Sequence, residues 1–140
     1  MRQEESFGVI PLSNKKGSWE VFLIQHRSGG YWGFPKGHAE PNETPFVAAS
    51  RELKEETNLE CEKLLSEKPL QEEYWFQFEG KRIFKTVRYF IAEVTGTIKL
   101  QKGEINSGIW LPFPKAIDKV THQEGKAILR EVAKILKIDL

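Results

Sequence analysis

Five glutamates fall between Gly37 and Leu59, in GHAEPNETPFVAASRELKEETNL. Three of them, Glu52, Glu55 and Glu56, stand at i, i+3 and i+4. A helix turns by about 100° per residue, so these three carboxylates share one face of a single turn. Like charges at that spacing repel each other. On spacing alone the cluster is also what a solvated face of a charged helix would show, because glutamate is a good helix former. A hard divalent cation is the chemistry that would compensate the repulsion. Mg²⁺ takes carboxylate oxygens and keeps positions that a phosphate can share. Gly37 and Pro41 place a loop ahead of the helix, and Ala48, Ala49, Leu53 and Leu59 give it an apolar side to bury. Glu43 is expected as an early-turn carboxylate, favoured by the helix dipole.

Gly37, five residues, Glu43, seven residues, then Arg51-Glu52-Leu53-Lys54-Glu55-Glu56-Thr57-Asn58-Leu59 resembles the Nudix box. The pattern is long and holds several residue types at fixed spacing. It departs at Asn58, where the family usually has glycine. That glycine ends the helix in a left-handed conformation, and asparagine is its commonest substitute. The resemblance implies an α/β fold, an α/β/α sandwich around a mixed sheet, with the box as loop, helix and loop. It also implies that the glutamates hold Mg²⁺ (or Mn²⁺), assisted by the backbone carbonyl of Gly37. Glu52 and Glu56 are the expected primary ligands, and Glu55 is expected to ligate a second metal or to orient water. Arg51 is expected to buttress Glu43 through a charge-assisted hydrogen bond. Glu104, in a late loop, is a candidate metal ligand or general base. Which glutamate acts as the base stays open, because that depends on burial.

The wider stretch from Tyr31 to Pro41, the segment from Lys85 to Val94, and Trp110-Leu111 are similar to the asymmetrical diadenosine tetraphosphate hydrolases. That family clamps an adenine between aromatic rings and lines the polyphosphate with lysines. Position by position, the resemblance implies that Lys85 contacts phosphate, with Lys81 as a second lysine. Lys36 adds a third cation at the rim of the metal loop. Phe78 falls where the family usually has a stacking Tyr, and the second ring falls at His122. Tyr31 stands where some members have His. His26 and His38 are expected to be ordinary strand and loop residues. The implied reaction is attack of metal-activated water on diadenosine tetraphosphate, releasing ATP and AMP. Three alternatives keep the chemistry and change the substrate: a damaged nucleoside triphosphate, the 5′ triphosphate end of RNA, or an inositol pyrophosphate. A non-catalytic nucleotide sensor is the alternative of another class. The presence of all three box glutamates argues against it.

The elements that must position these groups follow from the pattern. A chain of 140 residues, 39% hydrophobic and 11% aromatic, is expected to fold as one domain over residues 1–140. The net charge of +1 implies no general attraction to nucleic acid or membrane. The partner expected is a small-molecule dinucleoside polyphosphate. Cys61 is the single cysteine, so neither an internal disulfide nor a zinc site is expected. MRQEESFGVI lacks the apolar run of a signal peptide, and the expected compartment is cytoplasmic.

Phe7–Leu12 and Trp19–His26 read as strands paired in a hairpin, and Arg27–Lys36 as a loop. A helix is expected from about Thr44 to Thr57, with Thr44 as N-cap and Pro45 first inside. Glu60–Leu65 reads as a short strand. Lys68–Phe78 and Ile83–Val94 read as a hairpin turning across Glu79-Gly80-Lys81-Arg82. Lys99–Trp110 is expected to hold one or two strands. Pro112 and Pro114 start a helix through Lys119, and a last helix spans about Gln123–Leu136 with an apolar stripe facing the core.

Overall fold

The protein is described by a computed structural model covering residues 2–140. Its longest strands are β1 (Arg2–Ser13) and β7 (Lys81–Thr95), which run parallel from Arg2↔Ile83 to Leu12↔Glu93. Side chains alternate across a strand, so this register sorts residues onto two faces. Ile10, Leu12, Val87, Tyr89 and Ile91 lie on one face, and Phe7, Val9, Phe90, Ala92 and Val94 on the other.

The remaining strands add antiparallel neighbours. β2 (Glu20–His26) carries β8 (Ile105–Pro112) and the two-residue β3 (Trp32–Gly33). β4 (Lys36–Gly37) pairs with β1. β5 (Glu60–Leu64) and β6 (Leu70–Phe78) pair with β7. Helix α1 (Pro45–Thr57) covers the second face through Ala48, Ala49 and Leu53. α2 (Phe113–Lys119) and α3 (Gln123–Ile135) cover the first through Phe113, Leu129 and Val132. The result is a mixed sheet with helices on both faces, as the resemblance implied.

β1 and β2 pair antiparallel as the expected hairpin, over the short register Leu12↔Val21 and Ser13↔Glu20. Both strands are apolar on both faces and lie inside the sheet, where each takes other partners. The β6–β7 turn is tighter than expected. Only Glu79 and Gly80 lie outside the strands, both with positive φ, 51° and 73°. That pair matches the twist of the flanking strands. Of the one or two strands expected in Lys99–Trp110 the structure has one, β8, and the segment from Lys99 to Glu104 precedes it. That segment crosses the end of α1, where the Lys99 and Gln101 amides donate to the carbonyls of Thr57 and Glu56.

Candidate active site

The acidic helix is fixed at both ends. Thr44 caps it through its side-chain oxygen, which accepts from the Val47 amide at 3.3 Å, and Pro45 occupies the first turn. Asn58 is left-handed with φ 69°, and its amide donates to the Lys54 carbonyl at 2.9 Å. Its side chain also donates to the Thr97 carbonyl, a bond glycine could not make. Leu53 and Leu59 are buried beneath the helix. Burying a leucine contributes roughly 1.5–3 kcal/mol. That outweighs a repulsion of a few tenths of a kcal/mol per glutamate pair, so packing decides that the turn forms.

Arg51 organises the acids. Its Nε and Nη2 donate to the two oxygens of Glu43 at 2.7 and 2.9 Å. Its Nη1 donates to Glu52 at 3.1 Å and to Glu55 at 3.2 Å, and Nη2 also reaches the His38 carbonyl. The paired hydrogen bonds from Arg51 hold the Glu43 carboxyl down at about 2. Glu43 therefore does not act as a first-turn carboxylate. It precedes the N-cap, and a guanidinium rather than the helix dipole stabilises its charge.

Glu56 is 6% exposed. Burial raises its pKa, and a hydrogen bond shared with the Glu52 carboxyl raises it further. The Lys36 amide donates to it in opposition. Glu52 in turn lies against the backbone of residue 37, where any Cβ would collide with its carboxylate. Among the described residues no three acidic, His or Cys side chains converge on one point. Arg51 draws Glu43 and Glu55 to itself, while Glu52 and Glu56 face each other. The residues nevertheless fit a divalent cation. The donors are hard oxygens, Glu52 and Glu56 stand together on one turn, and Gly37 leaves its backbone open beside Glu52.

A cleft of about 790 Å³ opens on the α3 side of the sheet. Lys85 enters it from β7 and is 8% exposed. Burial lowers its pKa to about 8, nearby Lys36 lowers it too, and Glu4 at 3.9 Å opposes the shift. Lys36 is also lowered by burial, against the pull of Glu72, Glu56 and Glu52. It therefore stands between the acidic turn and the cleft. Tyr31 packs between two imidazoles, with centroids 4.7 Å from His26 and 5.2 Å from His122. Burial holds His26 neutral, with a pKa of about 4. The amide of Trp32 donates to the Thr121 hydroxyl at 2.8 Å, which ties this wall to the start of α3.

The structure thus gathers Tyr31, Lys36, Lys85 and His122 in one cleft, next to Gly37, Glu52 and Glu56. It does not bring the other candidates there. Phe78 is 55% exposed at the far end of the β6–β7 hairpin. Lys81 lines a separate cavity with Arg2, Trp75 and Arg82. Glu104 is exposed, and among the described residues its side chain has no hydrogen bond or ion pair; its backbone is engaged, the carbonyl by the Arg27 amide and the amide by the Gln101 carbonyl. Sequence reasoning missed Glu72, Tyr74 and Phe76, which line the cleft from β6. Their signal was the alternation in LQEEYWFQF, which puts them on the face of Lys85, directly opposite Tyr74.

An α/β/α sheet with an acidic helix turn beside a lysine-lined aromatic cleft defines a protein built for small anions that carry a base. The profile of the NUDIX domain matches residues 2–132, and the chain belongs to the Nudix family. Its domain is that of a pyrophosphohydrolase acting on nucleoside polyphosphates. The chain is 31% identical over 131 residues to the asymmetrical bis(5′-nucleosyl)-tetraphosphatase of Caenorhabditis elegans, covering 92% of this chain and 94% of that one. It is 33% identical over 115 residues to the Mus musculus protein of the same name, covering 79% and 76%. A crystal structure of a C. elegans Ap4A hydrolase binary complex superposes with a TM-score of 0.75 at 25% identity, covering 96% and 98%. No helix among the described residues is long and apolar enough to cross a membrane.

Proposed function

We propose that this protein hydrolyses diadenosine tetraphosphate asymmetrically, to ATP and AMP. The observation that carries the reading is the position of Lys36, between the acidic turn of α1 and a cleft that holds Lys85 and an aromatic wall. A nucleoside end fits against the Tyr31 and His122 rings, whose faces stack on any base. The phosphates then pass Lys85 and Lys36, which neutralise their oxygens and fix the chain in line with the acids. A divalent cation held by Glu52 and Glu56 would supply further charge neutralisation and make water acidic. Arg51 fixes Glu43 and Glu55 beside that turn. Similarity to the C. elegans and mouse tetraphosphatases supports the substrate.

Hydrolysis in ¹⁸O-labelled water with product analysis tests the reading. ATP and AMP as the only nucleotide products are expected, with label in one of the two. Two molecules of ADP, or no turnover, would overturn it.

The alkaline limb of the pH profile carries a second expectation. Lys85 is protonated below about 8 and neutral above. The cationic form is the one that meets phosphate, so kcat/KM falls as pH rises through that value. Lys85→Arg keeps its charge and moves the limb upward. An unchanged limb in that variant would show that another group titrates.

A further inference from the structure

The β6–β7 hairpin carries a second cavity outside the cleft, of about 570 Å³, lined by Arg2, Trp75, Lys81 and Arg82. Three of those four residues are cations, and none is acidic. Trp75 is 44% exposed. It stands directly opposite Phe84 in the strand register, with ring centroids 4.9 Å apart. The Arg82 guanidinium lies 4.2 Å from the indole centroid. The indole presents aromatic surface to solvent on the hairpin. Arg2 pairs with Glu4 at 2.9 Å, and Lys81 and Arg82 stand beside the indole, so the cavity matches a base with its phosphates better than it matches an apolar peptide. Trp75 also borders the main cleft, so the two cavities adjoin at this residue. Among the described residues β6 pairs with β7 alone, and its other edge is open for a ligand to pass.

We propose that the Trp75–Arg82 cavity is a subsite for the second nucleoside of a dinucleoside polyphosphate whose first nucleoside lies in the cleft. The inference rests on the proposed function and adds a place for the end of the substrate that the cleft does not hold. The base takes the place on the indole face now held by the Arg82 guanidinium. Arg82 and Lys81 meet the phosphate nearest that base. A substrate with one nucleoside makes no use of the site.

The test compares diadenosine tetraphosphate with adenosine 5′-tetraphosphate, which carries the same phosphates and a single nucleoside. In Trp75→Ala and Arg82→Ala, the ratio of kcat/KM for the first substrate to that for the second is expected to fall about ten-fold, as for loss of one base–aromatic contact. Trp75→Phe keeps an aromatic face and is expected to retain most of the ratio. Thermal melting of each variant separates a local effect from misfolding, and the Arg82 variant removes the cation while keeping the indole. An unchanged ratio in both alanine variants overturns the subsite while leaving the proposed function standing. Wild-type protein inert towards diadenosine tetraphosphate overturns both. A loss confined to 5′-triphosphorylated RNA would make the occupant a nucleic acid and also overturn the inference.

Discussion

Glu56→Gln is expected to fold normally and to turn over about a thousand-fold more slowly, a loss of about 4 kcal/mol of barrier lowering. The side chain keeps its length and its place under Lys36 but loses the anionic oxygen. Initial rates at saturating substrate and metal measure the effect. The same substitution has an opposite consequence for stability without metal. The native Glu56 carboxyl holds its proton above the unfolded value of 4.5, because it is buried against Glu52. Between those two values the folded protein binds more protons than the unfolded chain. Stability therefore falls as pH rises through that window. In a chelating buffer the wild-type Tm is expected to drop between about pH 5 and about pH 8, and Glu56→Gln to flatten that slope. Magnesium should then raise the Tm of wild type at the higher pH more than that of the variant. A variant with near-normal rate, or with the wild-type slope, would remove Glu56 from the metal site.

The helix and its caps were legible because they are local. Thr44, Pro45 and Asn58 each carry a backbone preference that acts within four residues, and all three hold the expected positions. Fold class was legible for a related reason, since strand and helix periodicities are written along the chain. Partner choice was not. β1 runs beside β7, over eighty residues later, and nothing local distinguishes that pairing from the hairpin with β2. The crossing of Lys99–Gln101 over the end of α1 is invisible for the same reason.

The cleft shows the same division. Lys36 was legible because it adjoins Gly37, itself fixed by the box. Lys85 was legible through a resemblance in its neighbourhood, whereas its pKa is lowered first by burial and then by Lys36, which another strand brings to it. Phe78 and Lys81 were placed by position-by-position resemblance. That matching took no account of how far the hairpin projects beyond the cleft. Residues one pair or more back along the same face, Tyr74 and Phe76, line it instead. Glu72 is a carboxylate at 3.3 Å from the buried Tyr89 hydroxyl. Its raised pKa comes first from burial, which no single-sequence pattern reports.

Gly37→Ala is expected to separate function from folding. The three atoms nearest its new Cβ all belong to the Glu52 carboxylate, the end of a flexible side chain that can swing away. The backbone need not move, so the Tm should shift by no more than about 3 °C, well under the effect of a core defect. The displaced carboxylate, however, leaves Glu56 and the Gly37 carbonyl. Activity and the stabilisation by magnesium should both fall, with kcat reduced about a hundred-fold by misplacement of the acid. Gly8→Ala is the matching control. There the added carbon meets the Pro35 carbonyl oxygen, the Lys36 Cβ and the Tyr89 ring. Backbone and a fully buried aromatic cannot step aside, so overpacking should cost roughly 1–3 kcal/mol or more and appear first in the melting curve. If Gly37→Ala melts as early as Gly8→Ala, the glycine serves chain packing. If it melts normally but keeps full rate, the position of the Glu52 carboxylate does not limit catalysis.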